Sequence, residues 1–244
     1  MLWALSMLKE IVQINSINVE KYCMKQELLN DCEIIIIKID LSLDKNVKSY
    51  LLLSKLAKQK EILPLFVILN STKDSQEKLK LLKNESYFIV ESERMFEELY
   101  EEIVQVLNPK SDGDICLDIA DIKTVLDYRG VAFFGSAQES TKDAALVAIE
   151  DAVKNANIKD HSLRDMQAVL IHFTIHPDYK LMKIAHAMEI FYENTHYDAD
   201  IILGTTTDKN LSKEYVKAVV LLTGCDSWEF KQMSTDNVTD FSVK

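Results

Sequence analysis

Continuous apolar runs alternate along this chain with stretches whose apolar residues recur every three or four positions, the rhythm of strands alternating with amphipathic helices. The run Ile34-Ile35-Ile36-Ile37 predicts a strand covered on both faces, as in a parallel sheet. Asn46 to Lys60 carries Val47, Leu51, Leu52 and Leu56 at helical spacing, and Ile62 to Leu69 predicts a second buried strand with Pro64 near its start. Tyr87-Phe88-Ile89-Val90 predicts a third. Ser92 then opens a helix whose apolar positions Met95, Phe96, Leu99, Ile103, Val106 and Leu107 keep one face until Asn108-Pro109 stops it. The glutamates Glu97, Glu98, Glu101 and Glu102 read as the solvated face of that helix. The polar, turn-rich stretch Lys110 to Asp114 marks a boundary between two lobes.

Beyond it the pattern restarts. Asp118 to Arg129 predicts a helix closed by Gly130 in left-handed conformation. Val131 to Gly135 predicts a strand, Ser140 to Asn155 a helix, Ala168 to Ile175 a strand and Asp178 to Glu193 a helix. Ala199 to Leu203 and Tyr215 to Thr223 complete the set as strands, and Cys225 to Lys244 reads as a polar tail. The alternation implies an α/β protein with a largely parallel sheet. The apolar opening Met1 to Leu8 lacks the basic start and small-residue cleavage site of a signal peptide and reads as a core segment.

Charge and composition narrow the chemistry. The 244 residues carry a net charge of −11 and no basic stripe, which argues against nucleic acid as a partner. No apolar run approaches the ~20 residues a membrane-spanning helix needs, so no membrane insertion is expected. Cys23, Cys32, Cys116 and Cys225 show no C-x-x-C spacing and read as free thiols of a cytoplasmic protein. Glycine is the informative residue: there are five, and the first is Gly113. Phosphate-cradling loops need glycine where backbone must approach an anion closely, so the N-terminal half holds neither a Walker loop nor a G-x-G-x-x-G.

Several segments of the second half carry a family resemblance. Ile119 to Leu126, Gly130-Val131-Ala132-Phe133-Phe134-Gly135-Ser136, Ala168 to Ile175, Ile201-Ile202-Leu203-Gly204-Thr205-Thr206-Thr207-Asp208 and Val219 to Gly224 together resemble the C-terminal lobe of FtsZ, the bacterial tubulin homologue. In the first half, Asp31 to Ile37 is similar to the strand before that family's signature loop, Ile62 to Leu69 to the strand after the next helix, and Ser92 to Leu107 to the central helix. Ile11 to Ser16 matches an earlier strand. The resemblance implies a degenerate Rossmann-like N-terminal lobe (1–91), a central helix and connecting loop (92–117), an FtsZ-like C-terminal α/β lobe (118–224) and a tail (225–244).

The family's signature loop, G-G-G-T-G-T-G, falls here on Ser42-Leu43-Asp44-Lys45-Asn46-Val47-Lys48, which has no glycine and sets Asp44 where phosphates would lie. Lys45 and Lys48 are cations at that place, either phosphate ligands or solvated lysines at a helix start. The segment ahead of the central helix, which reads the guanine base in the family, is shortened, so no base contact is carried onto Glu93. No cofactor is therefore expected, GTP entering only if the pocket has been rebuilt.

In the family, GTP is hydrolysed between subunits: a loop with the pattern N-x-D-x-x-D enters the neighbour's nucleotide pocket and its acids polarise the attacking water. The matching stretch is Cys116-Leu117-Asp118-Ile119-Ala120-Asp121. The resemblance makes Asp118 and Asp121 catalytic only in trans, with Cys116, Leu117 and Ile119 at the interface. The residues by themselves allow a second reading, Asp118 as helix N-cap and Asp121 as a first-turn acid favoured by the helix dipole. Cys116 replaces the family's asparagine, and the loop before it is longer.

His172, His176, His186 and His196 are too dispersed to specify a metal site. The hydroxyl-rich run Gly204 to Asp208 suggests phosphate binding by composition but is a strand end in the family. Two functions follow. One is an FtsZ-like protein without its own GTP loops that acts by contact with FtsZ or with itself, capping or regulating filaments in cell division. The other is a divergent GTPase, or a small-ligand module on the same scaffold.

Overall fold

The computed structural model describes residues 11–14, 18–30, 32–42, 47–69, 76–107, 113–158 and 161–225. The expectations placed on Met1 to Leu8, on Leu43 to Asn46, on Asn108 to Asp112 and on the chain after Cys225 lie outside them.

Four parallel strands build the first half: β1 (Ile11–Ile14), β2 (Ile34–Asp40), β3 (Leu63–Leu69) and β4 (Ser86–Val90). They are linked by α1 (Val19–Met24), α2 (Val47–Gln59) and α3 (Gln76–Lys80). Then come α4 (Glu93–Val106) and α5 (Ile119–Asp127). The second half runs β5 (Gly130–Glu139), α6 (Ala144–Asn155), β6 (Ala168–Ile175), α7 (Leu181–Asn194), β7 (Asp200–Thr207) and β8 (Val216–Cys225).

The two halves share one sheet. Its order is β1-β2-β3-β4-β5-β8-β6-β7, and the join is the parallel pairing of Ser86, Tyr87 and Phe88 with Gly130, Val131 and Ala132. The sheet is mixed rather than all parallel, because β8 returns antiparallel between β5 and β6.

Three apolar layers follow from the strand alternation. In the first half Ile35, Ile37, Phe66 and Ile68 pack against α1 to α3. In the second half Val169, Ile171, Phe173, Val216, Ala218 and Val220 pack against α6 and α7. The third layer is continuous across both halves: Ile34, Ile36, Val67, Phe88, Ala132, Leu170, Val219 and Leu221 pack against Phe96, Leu99, Ile103 and Val106 of α4 and Ile122, Val125 and Leu126 of α5. α4 and α5 therefore hold the halves together.

Local signals set the element ends. Ser92 caps α4, its Oγ accepting from Met95 N–H at 3.2 Å. Gly130 is left-handed (φ 106°) as expected, but it opens β5; α5 has already ended at Asp127. Among the described residues no helix is long and apolar enough to cross a membrane.

The glutamates of α4 correct the reading of a solvated face. Glu97 and Glu101 are exposed, but Glu98 is half-buried and Glu102 is 4% exposed. Glu98, Glu102 and Gln105 follow one side of the helix. Glu98 accepts from Ser136 of β5, Glu102 is ion-paired with Lys217 of β8, and Gln105 Nε2 donates to Thr174 of β6 at 3.0 Å.

Candidate functional site

The acid-bearing loop, residues 113–118, runs along the free side of β7 and leads into α5. Asp118 is the N-cap of α5. Its Oδ1 accepts from Ala120 N–H at 2.7 Å and Asp121 N–H at 3.0 Å, and Asp121 Oδ2 accepts from Asp118 N–H at 2.8 Å. This reciprocal pairing satisfies donors that a helix start otherwise leaves open. Asp118 is exposed and Asp121 half-buried, so both remain at the surface while serving the helix. The two carboxylates sit together at the helix start.

The loop is fixed from β7. Asp114 Oδ1 accepts from Thr207 N–H at 2.7 Å and from its hydroxyl at 2.8 Å. Ile115 N–H donates to Thr205 Oγ1 at 2.9 Å, and Thr205 N–H donates back to Ile115 C=O at 2.9 Å. Cys116 is exposed and Ile119 half-buried. Leu117, expected on the contact surface, turns inward: it is 5% exposed and lies over Gly204, where a Cβ would come within 2.5 Å of Leu117 Cγ. The run Gly204 to Thr207 thus binds the chain's own loop. Composition pointed to hydroxyls there, but their partners lie about ninety residues earlier, where no local pattern reveals them.

At the other end of α5, Tyr128 OH donates to Asp200 Oδ2 at 2.7 Å, and this bond to a carboxylate raises the phenol above its ordinary range. Lys123 Nζ donates to Glu61 C=O at 2.8 Å, tying α5 to the first half.

The carboxyl ends of β2 and β3 are where an open parallel sheet holds a ligand. Here Asp40 Oδ1 accepts from Ser42 N–H at 2.9 Å and Ser42 Oγ at 2.6 Å. Lys78 Nζ donates to Leu41 C=O at 2.7 Å, and Leu41 is buried. Lys38 pairs with Glu93 and lies 4.6 Å from the centre of the Phe96 ring. Val47 is buried at the start of α2 and Lys48 is exposed.

The histidines are separate. His172 is buried, with Nε2 2.9 Å from Thr206 Oγ1, whereas His176 Nδ1 accepts from Asp178 N–H at 3.0 Å. His186 lies 3.1 Å from Glu189, and the His196 ring sits tilted beside Tyr197. Among the described residues no three His, Cys, Asp or Glu groups gather to hold a metal. None of the four cysteines is joined in a disulfide.

Comparison with known proteins places this geometry. Residues 130–226 match the FtsZ family, C-terminal domain. Over 114 residues the chain is 28% identical to the cell division protein FtsZ of Helicobacter pylori (strain J99), covering 47% of this chain and 30% of that protein. Over 116 residues it is 35% identical to FtsZ of Rickettsia typhi, covering 47% of this chain and 25% of that protein. The matched stretch is thus less than a third of the length of these relatives.

Among solved structures, an empty FtsZ dimer from M. jannaschii superposes with a TM-score of 0.66 at 18% identity, covering 85% of this chain and 68% of that one. CetZ2 from Haloferax volcanii, solved as a GTPgS-bound protofilament, gives 0.63 at 16% identity, covering 86% and 71%. These structural likenesses extend over both halves of the sheet, and the sequence match concentrates in the second. Residues 130–226 therefore carry an FtsZ-type C-terminal domain, and the fold of the described residues is that of the FtsZ and CetZ structures.

Proposed function

We propose that this chain acts by contact in cell division, docking its acid-bearing loop on the nucleotide-bearing end of an FtsZ filament and capping it. The observation that carries this reading is an asymmetry: the first 112 residues contain no glycine, while Asp118 and Asp121 are kept on a loop held by hydrogen bonds. Backbone amides in glycine-rich turns are the usual cradle for phosphates, and side chains replace them poorly.

A head-to-tail filament grows through unlike faces, so a subunit competent at one face ends the chain it joins. The docked chain offers its acids to the nucleotide below and presents no nucleotide to the next subunit. Whether the acids also promote hydrolysis depends on reaching the attacking water at roughly 2.6–3.2 Å.

The test adds this chain at low ratios to polymerising FtsZ and follows filament length and phosphate release. Asp118→Asn and Asp121→Asn are the informative variants, because asparagine still caps a helix but lacks the charge. Shorter filaments are expected, with phosphate release falling in both variants if the acids act chemically. Unchanged filaments at stoichiometric excess refute capping. Saturable micromolar binding of fluorescent GTP to the purified chain supports the divergent GTPase instead.

A further inference from the structure

We propose that Asp114, Thr205 and Thr207 are positioning residues that hold the Asp118/Asp121 loop in its docking conformation before any partner arrives. The loop is fixed by four hydrogen bonds of 2.7 to 2.9 Å from two threonines of one strand. A fifth constraint is steric: Leu117 fills the space above Gly204 that a side chain would occupy. Each residue from Gly204 to Thr207 has its own task. Gly204 receives Leu117, Thr205 grips Ile115, Thr206 holds His172, and Thr207 grips Asp114.

The same contacts close the sheet. Among the described residues β7 is the last strand on its side and pairs with β6 alone, so its outer N–H groups need partners. Those of Thr205 and Thr207 find them in Ile115 C=O and Asp114 Oδ1. One set of bonds thus serves the Thr205–Thr207 part of the β edge and orders the loop. Ordering a loop in advance lowers the entropy lost when it docks.

The clasp itself is read on the free chain, and its effect on docking rests on the proposed function. Amide hydrogen exchange is compared for wild type, Asp114→Ala, Thr207→Val, and the conservative Asp114→Asn and Thr207→Ser. Loss of a clasp bond is expected to speed exchange at Ile115 and Thr205 by about tenfold. The conservative variants stay within about twofold of wild type, and the α6 and α7 core is unchanged.

Equal exchange in Asp114→Ala and wild type overturns the proposal, as does a uniform rise across the second half, which is general destabilisation. In the filament assay, Asp114→Ala is expected to need about tenfold more protein than wild type for the same shortening, although Asp118 and Asp121 are intact. Equal potency overturns the positioning role. A wild-type chain that leaves filaments unchanged refutes capping alone, because the exchange result is obtained without FtsZ.

Discussion

Lys217→Met should destabilise the chain far more than Glu102→Leu, although each removes half of one ion pair. Glu102 has a side chain 5% exposed, in a wall of Ile103, Val106, Ile122, Leu170, Val219 and Leu221 around a void of about 10 Å³. One oxygen meets Lys217, and Oε2 has no hydrogen-bond partner. Removing Lys217 strands a buried carboxylate, which costs about 3–5 kcal/mol. Removing Glu102 strands an amine whose side chain is 25% exposed and can turn its head to water, for about 1–2 kcal/mol.

Replacing both with apolar groups removes the two charges together. The double variant should lie within about 1 kcal/mol of wild type or above it, giving a coupling of at least about 3 kcal/mol. Equilibrium urea unfolding of the four proteins measures this, with equal m-values confirming that the same surface is exposed. A Lys217→Met cost no greater than that of Glu102→Leu, or a coupling below about 0.5 kcal/mol, would show that the pair is solvated and refute the reasoning.

Two further outcomes follow from single positions. Gly135→Ala should cost about 3 kcal/mol or more by thermal unfolding, because its Cβ would lie 2.0 Å from Ala152 O and 2.5 Å from Ala156 N, whereas Gly204→Ala meets only the movable Leu117 side chain and His172 and should cost less. Burial pushes the Tyr87 phenol from 10.0 up to about 12, so the folded chain keeps a proton that the unfolded chain releases near pH 10. Stability is intact below that pH and falls by about 2–3 kcal/mol as pH rises towards 12, and Tyr87→Phe should flatten that limb of the unfolding profile.

The parts of the fold legible in the sequence are those whose own residues specify them. Ala168 to Ile175 is a strand at the bounds the apolar run predicts, because all eight residues are buried and none is charged. α4 starts where Ser92 caps it. By contrast α1 and α3 span six and five residues, too short to repeat a period, and they are held by the apolar layer they share with α2, β2 and β3. The buried Glu102 was hidden among four glutamates, since its partner lies 115 residues later. The candidate site divides in the same way: the spacing of Asp118 and Asp121 is local and readable, while the threonines that hold the loop come from β7.

The capping role of Asp118 and its proposed role at a filament end use different capacities of one group. A carboxylate offers about four lone-pair sites, and the helix start takes two on Oδ1. The cap also fixes the rotamer, so the bonds that would count as a purely structural explanation are the ones that give the acid a defined direction. Asp121 is held by the same exchange, from the opposite side, through Asp118 N–H. An acid that must meet a water in a neighbouring subunit gains from being held before the encounter, since positional error at the reacting atoms is costly. Helix capping and the proposed catalysis in trans are therefore not rival explanations of these two residues: the first would orient the acids for the second, and charge-removing asparagine variants, which keep the helix start, are the means of separating them.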